Sequence, residues 1–159
     1  MEKIDKKYDL EKIKVELNNI INDVGWLNKT HIYLQTPDGL PYKEQLLRSN
    51  PENNKRYITL TIKDDTEIAR YILENSLYRT RVLKLPTGKC YSWHSDKELR
   101  VHLAVTTNDK CFIVENKKLV NVPSDGSPYL INTINKHTAM NCNREDFDRI
   151  HIVGTIDTY

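Results

Sequence analysis

The second half of this chain constrains its fold more than any other feature. From Leu77 onward, short segments of alternating apolar and polar residues succeed one another, separated by turn residues, with no helical periodicity between them. The candidate strands are 78–85, 90–93, 100–106, 111–115, 118–122, 129–132, 137–141 and 149–155. Pro86-Thr87-Gly88, Asn108-Asp109, Asn116-Lys117 and Ser124-Asp125-Gly126-Ser127-Pro128 supply turns between them. Eight short strands at this spacing predict antiparallel pairing in a closed or sandwiched architecture such as a jelly roll.

The first half reads differently. Leu10, Ile13, Leu17, Ile20, Ile21 and Val24 recur mostly at steps of three and four, which predicts an amphipathic helix over 8–24 that ends at Gly25. Residues 32–34 read as a short strand and Thr36-Pro37-Asp38-Gly39 as a turn. The polar stretch 48–55 reads as a loop. Residues 56–63 alternate as a strand. A second helix is expected from Asp64 or Asp65 to about Asn75, burying Ile68, Ala69, Ile72 and Leu73. The expectation is therefore one mainly β domain over 1–159. Residues 1–76 form a support region with two flanking helices, and 77–156 form the β core.

Composition narrows the function classes. Hydrophobic residues make up 38% and charged residues 29% of the 159, and the apolar runs are far too short for a membrane span. A net charge of +2 does not point to nucleic acid or an anionic membrane. The charged N-terminal residues lead into no apolar segment, so no signal peptide is expected. Cys90, Cys111 and Cys142 are odd in number and form no CxxC pair, which speaks against a disulfide framework and for a reducing, cytoplasmic setting.

One set of residues carries chemistry. His94 and Asp96, in Trp93-His94-Ser95-Asp96, share parity, so on extended backbone both side chains leave the same face. His137 follows near the end of the strand-rich region. Two imidazoles and a carboxylate can occupy one face of an octahedral iron(II) and leave positions open. An HxD triplet also arises by chance, so its context matters. Arg149 alternates with Ile150 and Ile152, which puts Arg149 and His151 on the other face of that strand. A guanidinium there suits bidentate capture of a carboxylate, or it faces solvent with Asp148 or Asp146 as partner. In Arg100-Val101-His102-Leu103-Ala104-Val105 the apolar face is core. The opposite face, polar but with small Ala104, reads as a lined cavity or as an outer surface.

In order and spacing, Pro86-Thr87-Gly88, His94-Ser95-Asp96, Arg100-Val101-His102-Leu103, His137 with Asn141, and Arg149 together resemble the aspartyl/asparaginyl β-hydroxylase-like branch of the iron(II)- and 2-oxoglutarate-dependent oxygenases. The resemblance covers roughly residues 79–156. It implies a double-stranded β-helix with His94, Asp96 and His137 as iron ligands. By the same match Arg149 grips the distal carboxylate of 2-oxoglutarate, and Arg100 and His102 lie near its metal-binding end. It further implies hydroxylation of a C–H bond, with O2 consumed and 2-oxoglutarate decarboxylated to succinate. The branch includes hydroxylases of free proline and other amino acids, and Asp96 matches its prolyl-hydroxylating members. It departs from the His-x-Gly of vertebrate-type aspartyl hydroxylases and from halogenases, which lack the carboxylate.

The substrate is the least legible part. The absence of a repeat or docking appendage favours a free amino acid or small peptide. The alternatives are a protein side chain (Asp, Asn or Pro), or a jelly roll that binds metal without turnover. Arg79 and Arg81 either reach a substrate carboxylate or are solvated charges. Tyr91 and Trp93 either line the substrate side or belong to the core. Asn135 and Asn141, beside His137, are candidates for substrate or ligand-orienting contacts.

Overall fold

The computed structural model describes residues 1–41 and 51–157. Along the chain these form β1 (Glu2–Lys3), α1 (Leu10–Val24), β2 (His31–Tyr33), β3 (Gln35–Thr36), α2 (Pro51–Asn54), β4 (Thr59–Leu60) and α3 (Glu67–Glu74). They continue with β5 (Tyr78–Leu85), β6 (Leu99–Thr106), β7 (Cys111–Glu115), β8 (Lys118–Val120), β9 (Tyr129–Ile131), β10 (Thr138–Asn141) and β11 (Arg149–Ile156). The architecture is mainly β, and every strand pairing in the described residues is antiparallel. The larger sheet has the order β1-β9-β6-β11-β5-β2, and a smaller one the order β10-β7-β8.

Two apolar layers follow from the alternation of the long strands. Val101, Leu103 and Val105 of β6 and Ile152 of β11 turn to one face of the larger sheet. There they meet Ile13 and Leu17 of α1 and Ile68, Tyr71 and Ile72 of α3. The other face carries Leu85 and Ala104, which pack with Ile113 and Ala139 of the smaller sheet and with Tyr129 and Ile131. Polar residues that share this second face, His102 and Arg149 among them, are buried and line the space between the two sheets.

The helices are fixed by their caps. Asp9 accepts from the Lys12 amide at 3.1 Å, and Gly25 closes α1 with φ of 76°, which favours glycine. Thr66, not Asp64 or Asp65, caps α3, accepting from the Ala69 amide at 3.1 Å. The Glu16 carboxylate of α1 accepts from the amides of Glu67 and Ile68 at 2.9 and 3.0 Å. Two first-turn donors of α3 are thereby satisfied, and the helices are tied together.

Several expectations need correction. There are three helices, not two: residues 51–54, read as part of a loop, form α2, while 48–50 lie outside the described residues. Leu73 faces solvent, and Tyr71 takes its place in the buried stripe of α3. The alternation over 56–63 yields a strand only at Thr59–Leu60, because its partner β3 is equally short. Residues 90–93 form no continuous strand. They run beside β10, with Tyr91 N donating to Ala139 O at 3.0 Å and an isolated bridge from Cys90 to Met140. The three cysteines are free. Among the described residues, no helix is long and apolar enough to cross a membrane.

Candidate metal centre

The path beside β10 brings the two histidines together. His94 N donates to His137 O at 3.1 Å, and His137 N donates to His94 O at 2.8 Å, which sets the ring centroids 4.4 Å apart. Asp96 is held one step further on, its amide donating to Thr133 O at 2.8 Å. One potential ligand atom from each of His94, Asp96 and His137 then lies within 4.8 Å of the others.

Hydrogen bonding decides which ring nitrogens face the centre. His94 Nδ1 lies 2.6 Å from Ser92 O, and His137 Nδ1 lies 3.0 Å from Asn135 O. A carbonyl oxygen only accepts, so each Nδ1 carries a proton, which leaves Nε2 as the ring nitrogen available for a ligand role. Burial pulls the His137 ring below the ordinary imidazole range, although its bond to Asn135 opposes this. For Asp96, burial alone would raise the carboxyl. The Arg100 guanidinium overrides it, through its charge and a 3.0 Å bond from Nε to Oδ2, and holds the group below its ordinary value. The set therefore combines two imidazole nitrogens and an ionised carboxylate, the donor chemistry a divalent first-row cation accepts.

Behind Asp96 stands a polar network. Arg100 also donates to Thr155 Oγ1 and lies 3.9 Å from Glu98. Glu98 accepts from Asn54 of α2 at 3.0 Å, and Asn54 in turn accepts from Arg79. Arg100 thus braces the carboxylate of the triad.

The triad opens into a cavity of about 360 Å³ between the sheets, within the size range of small-molecule sites. Four arginines line it, Arg79, Arg81, Arg100 and Arg149, but among the described residues Asp96 is its one carboxylate. Arg149 is buried on β11, so the solvent-facing alternative fails, and Asp148 pairs instead with Lys84 at 3.4 Å. Among the described residues, no carboxylate lies within ion-pair distance of Arg149 or Arg81. Burial pushes both guanidinium groups down to about 10, and Arg79 and Arg100 add repulsion at Arg81. Arg149 and Arg81 sit at different points of the cavity. They lie on neighbouring strands, and Arg81 pairs with Val153, four residues beyond Arg149.

The remaining sequence candidates divide. His102 lines the cavity, well below the ordinary imidazole range because of burial and the charge of Arg149, and its ring contacts His151. Tyr91 lines the cavity as well. Trp93 is half exposed and takes no part in the lining. Asn135 contributes its carbonyl, while its side chain turns outward to Asn116 at 2.7 Å. Asn141 is structural, donating to Leu85 O and Phe147 O at 2.9 and 2.6 Å. Sequence reasoning missed the carbonyls of Ser92 and Asn135, which no residue type reveals. It also missed His31, a residue of the cavity wall from outside the region of resemblance. Compared with known proteins, the sequence matches no family model and no curated protein.

Proposed function

We propose that the chain is an iron(II)- and 2-oxoglutarate-dependent oxygenase that hydroxylates a C–H bond of a small acidic substrate, such as a free amino acid. The observation that carries this reading is the pairing, in one cavity, of a two-histidine, one-carboxylate set with a buried guanidinium that, among the described residues, lacks a carboxylate partner. The two facing sheets, with the metal set between them, suit the double-stranded β-helix of the family that the sequence resembles.

His94 Nε2, His137 Nε2 and an Asp96 oxygen would hold the iron. Bound there, iron(II) with 2-oxoglutarate and O2 would supply oxygen insertion into a C–H bond, with release of succinate and CO2. The protein's own residues bind, orient and shield. Ser92 O and Asn135 O fix the two rings, and Arg100 keeps Asp96 ionised. Arg149 would hold the distal carboxylate of the cosubstrate, for which a planar guanidinium is suited. Arg81, on the neighbouring strand β5, remains for an acidic group of the substrate. Leu83, Ile113, Ile131 and Ala139 keep the space between these anchors apolar.

The test is succinate release in the presence of iron(II), ascorbate, O2 and 2-oxoglutarate with a panel of free amino acids, proline first. Stimulation by a free acid and not by its amide supports the reading. Stimulation by an intact protein substrate alone replaces it with the protein-hydroxylase alternative.

A further inference from the structure

Resting on the assignment of Arg149 to the dicarboxylate, we propose that His151 is the positioning residue of that site: a neutral imidazole nitrogen orients the guanidinium and leaves its charge for the ligand. Arg149 Nη2 lies 3.0 Å from His151 Nδ1, and both residues are buried. A guanidinium only donates, so Nδ1 is the unprotonated nitrogen and the ring proton sits on Nε2. His151 Nε2 is buried, and among the described residues it has no hydrogen-bond partner. His102 Nδ1 approaches the same His151 nitrogen at 3.4 Å, with the rings edge to face.

Packing alone does not account for an imidazole here. The residues opposite His151 on the two neighbouring strands are Leu83 and Ala104, both apolar. An aliphatic side chain would suit these neighbours and leave no orphaned N–H. What the ring adds is an acceptor for Arg149. A carboxylate in its place would also hold the guanidinium, but it would cancel the charge and compete with the incoming anion. A neutral acceptor fixes the plane of the fork and leaves its other donors available. Burial, reinforced by the charge of Arg149 and by His102, keeps the ring far below the ordinary imidazole range, so the acceptor persists.

Calorimetric titration of the iron(II)-loaded protein with 2-oxoglutarate, without O2, tests the role in four proteins: the unaltered chain, Arg149→Ala, His151→Leu and His151→Asn. The expected result is binding weakened about tenfold in His151→Leu, with no loss of melting temperature, since the charge-assisted bond goes while an orphaned N–H is removed. His151→Asn should recover most of the affinity, because its amide oxygen can take the place of Nδ1. Affinity unchanged in His151→Leu but lost in Arg149→Ala overturns the role of His151 and leaves the reading of Arg149 intact. Failure of the unaltered protein to bind overturns both. If His151→Leu does not fold, the imidazole ¹⁵N spectrum of the unaltered protein decides. An Nε2–H tautomer whose Nδ1 signal shifts on adding 2-oxoglutarate upholds the role, and an Nδ1–H tautomer, or no shift, overturns it.

Discussion

His94 and His137 exchange a pair of backbone hydrogen bonds, at 3.1 and 2.8 Å, and this exchange, not a shared strand, places their rings 4.4 Å apart. The geometry of the centre is thus a property of the main chain, and side-chain truncation should remove a ligand without displacing its partner. We expect His94→Ala and His137→Ala to fold and to lose metal affinity by more than the roughly 10–100-fold that an outer partner is worth. Metal titration followed by tryptophan fluorescence or calorimetry measures it.

Arg100 is such an outer partner. Its fork engages Asp96, Thr155 and Glu98 from one side chain. Arg100→Gln should lower metal affinity about 10–100-fold, and Arg100→Lys should not restore it, because a point charge cannot satisfy three directions. Metal dissociation constants of the two variants check this.

How much of this was legible in the sequence follows from what each feature depends on. Alternation in 100–106 and 149–155 located the buried strands and the polar face that lines the cavity, because a two-residue period is a local property. The parity of His94 and Asp96 put them on one side, and the spacing of Arg149 and His151 put both on the cavity face. The strand expected at 90–93 failed, since a strand exists only where a partner continues it, and here the pairing is interrupted to present His94. Ser92 O and Asn135 O, the Arg100 brace and the entry of Asn54 from α2 all depend on contacts distant in sequence or on backbone atoms, to which composition is blind.

Among the described residues, Arg81 Nε is buried without a hydrogen-bond partner and no carboxylate pairs with the guanidinium, a cost that an acidic ligand would relieve. Arg81→Leu should therefore raise the melting temperature of the ligand-free protein, while it raises KM for an acidic substrate and leaves 2-oxoglutarate affinity unchanged. Thermal denaturation and steady-state kinetics on the same preparation separate these effects.

Acid should destabilise the fold early. Burial holds His102, His151, His137 and His31 below the ordinary imidazole value of 6.5. Below that value the unfolded chain binds protons that the folded chain does not, so stability falls as pH drops through about 6.5 toward the folded values. Melting temperatures from pH 8 to 5 should decline over this range, and less steeply in His151→Leu. A flat profile would contradict the neutral, buried state of these rings.

Gly154 lies at the irregularity of β11 between Val153 and Thr155, where an added Cβ would come within 2.7 Å of Leu77 and 2.8 Å of Thr80. Gly154→Ala should destabilise by about 1–3 kcal/mol through overpacking. It should also disturb Arg100 through its bond to Thr155. Chemical denaturation measures the first effect and metal affinity the second.

The central claim is that the triad and Arg149 serve one iron–dicarboxylate site, and anaerobic spectroscopy reaches it most directly. Adding iron(II) and then 2-oxoglutarate to the purified protein should produce a weak charge-transfer band in the visible. The band should be absent in His137→Ala and should need far more 2-oxoglutarate to saturate in Arg149→Ala. A folded protein that gives no band, or one whose band is indifferent to both substitutions, would contradict the account.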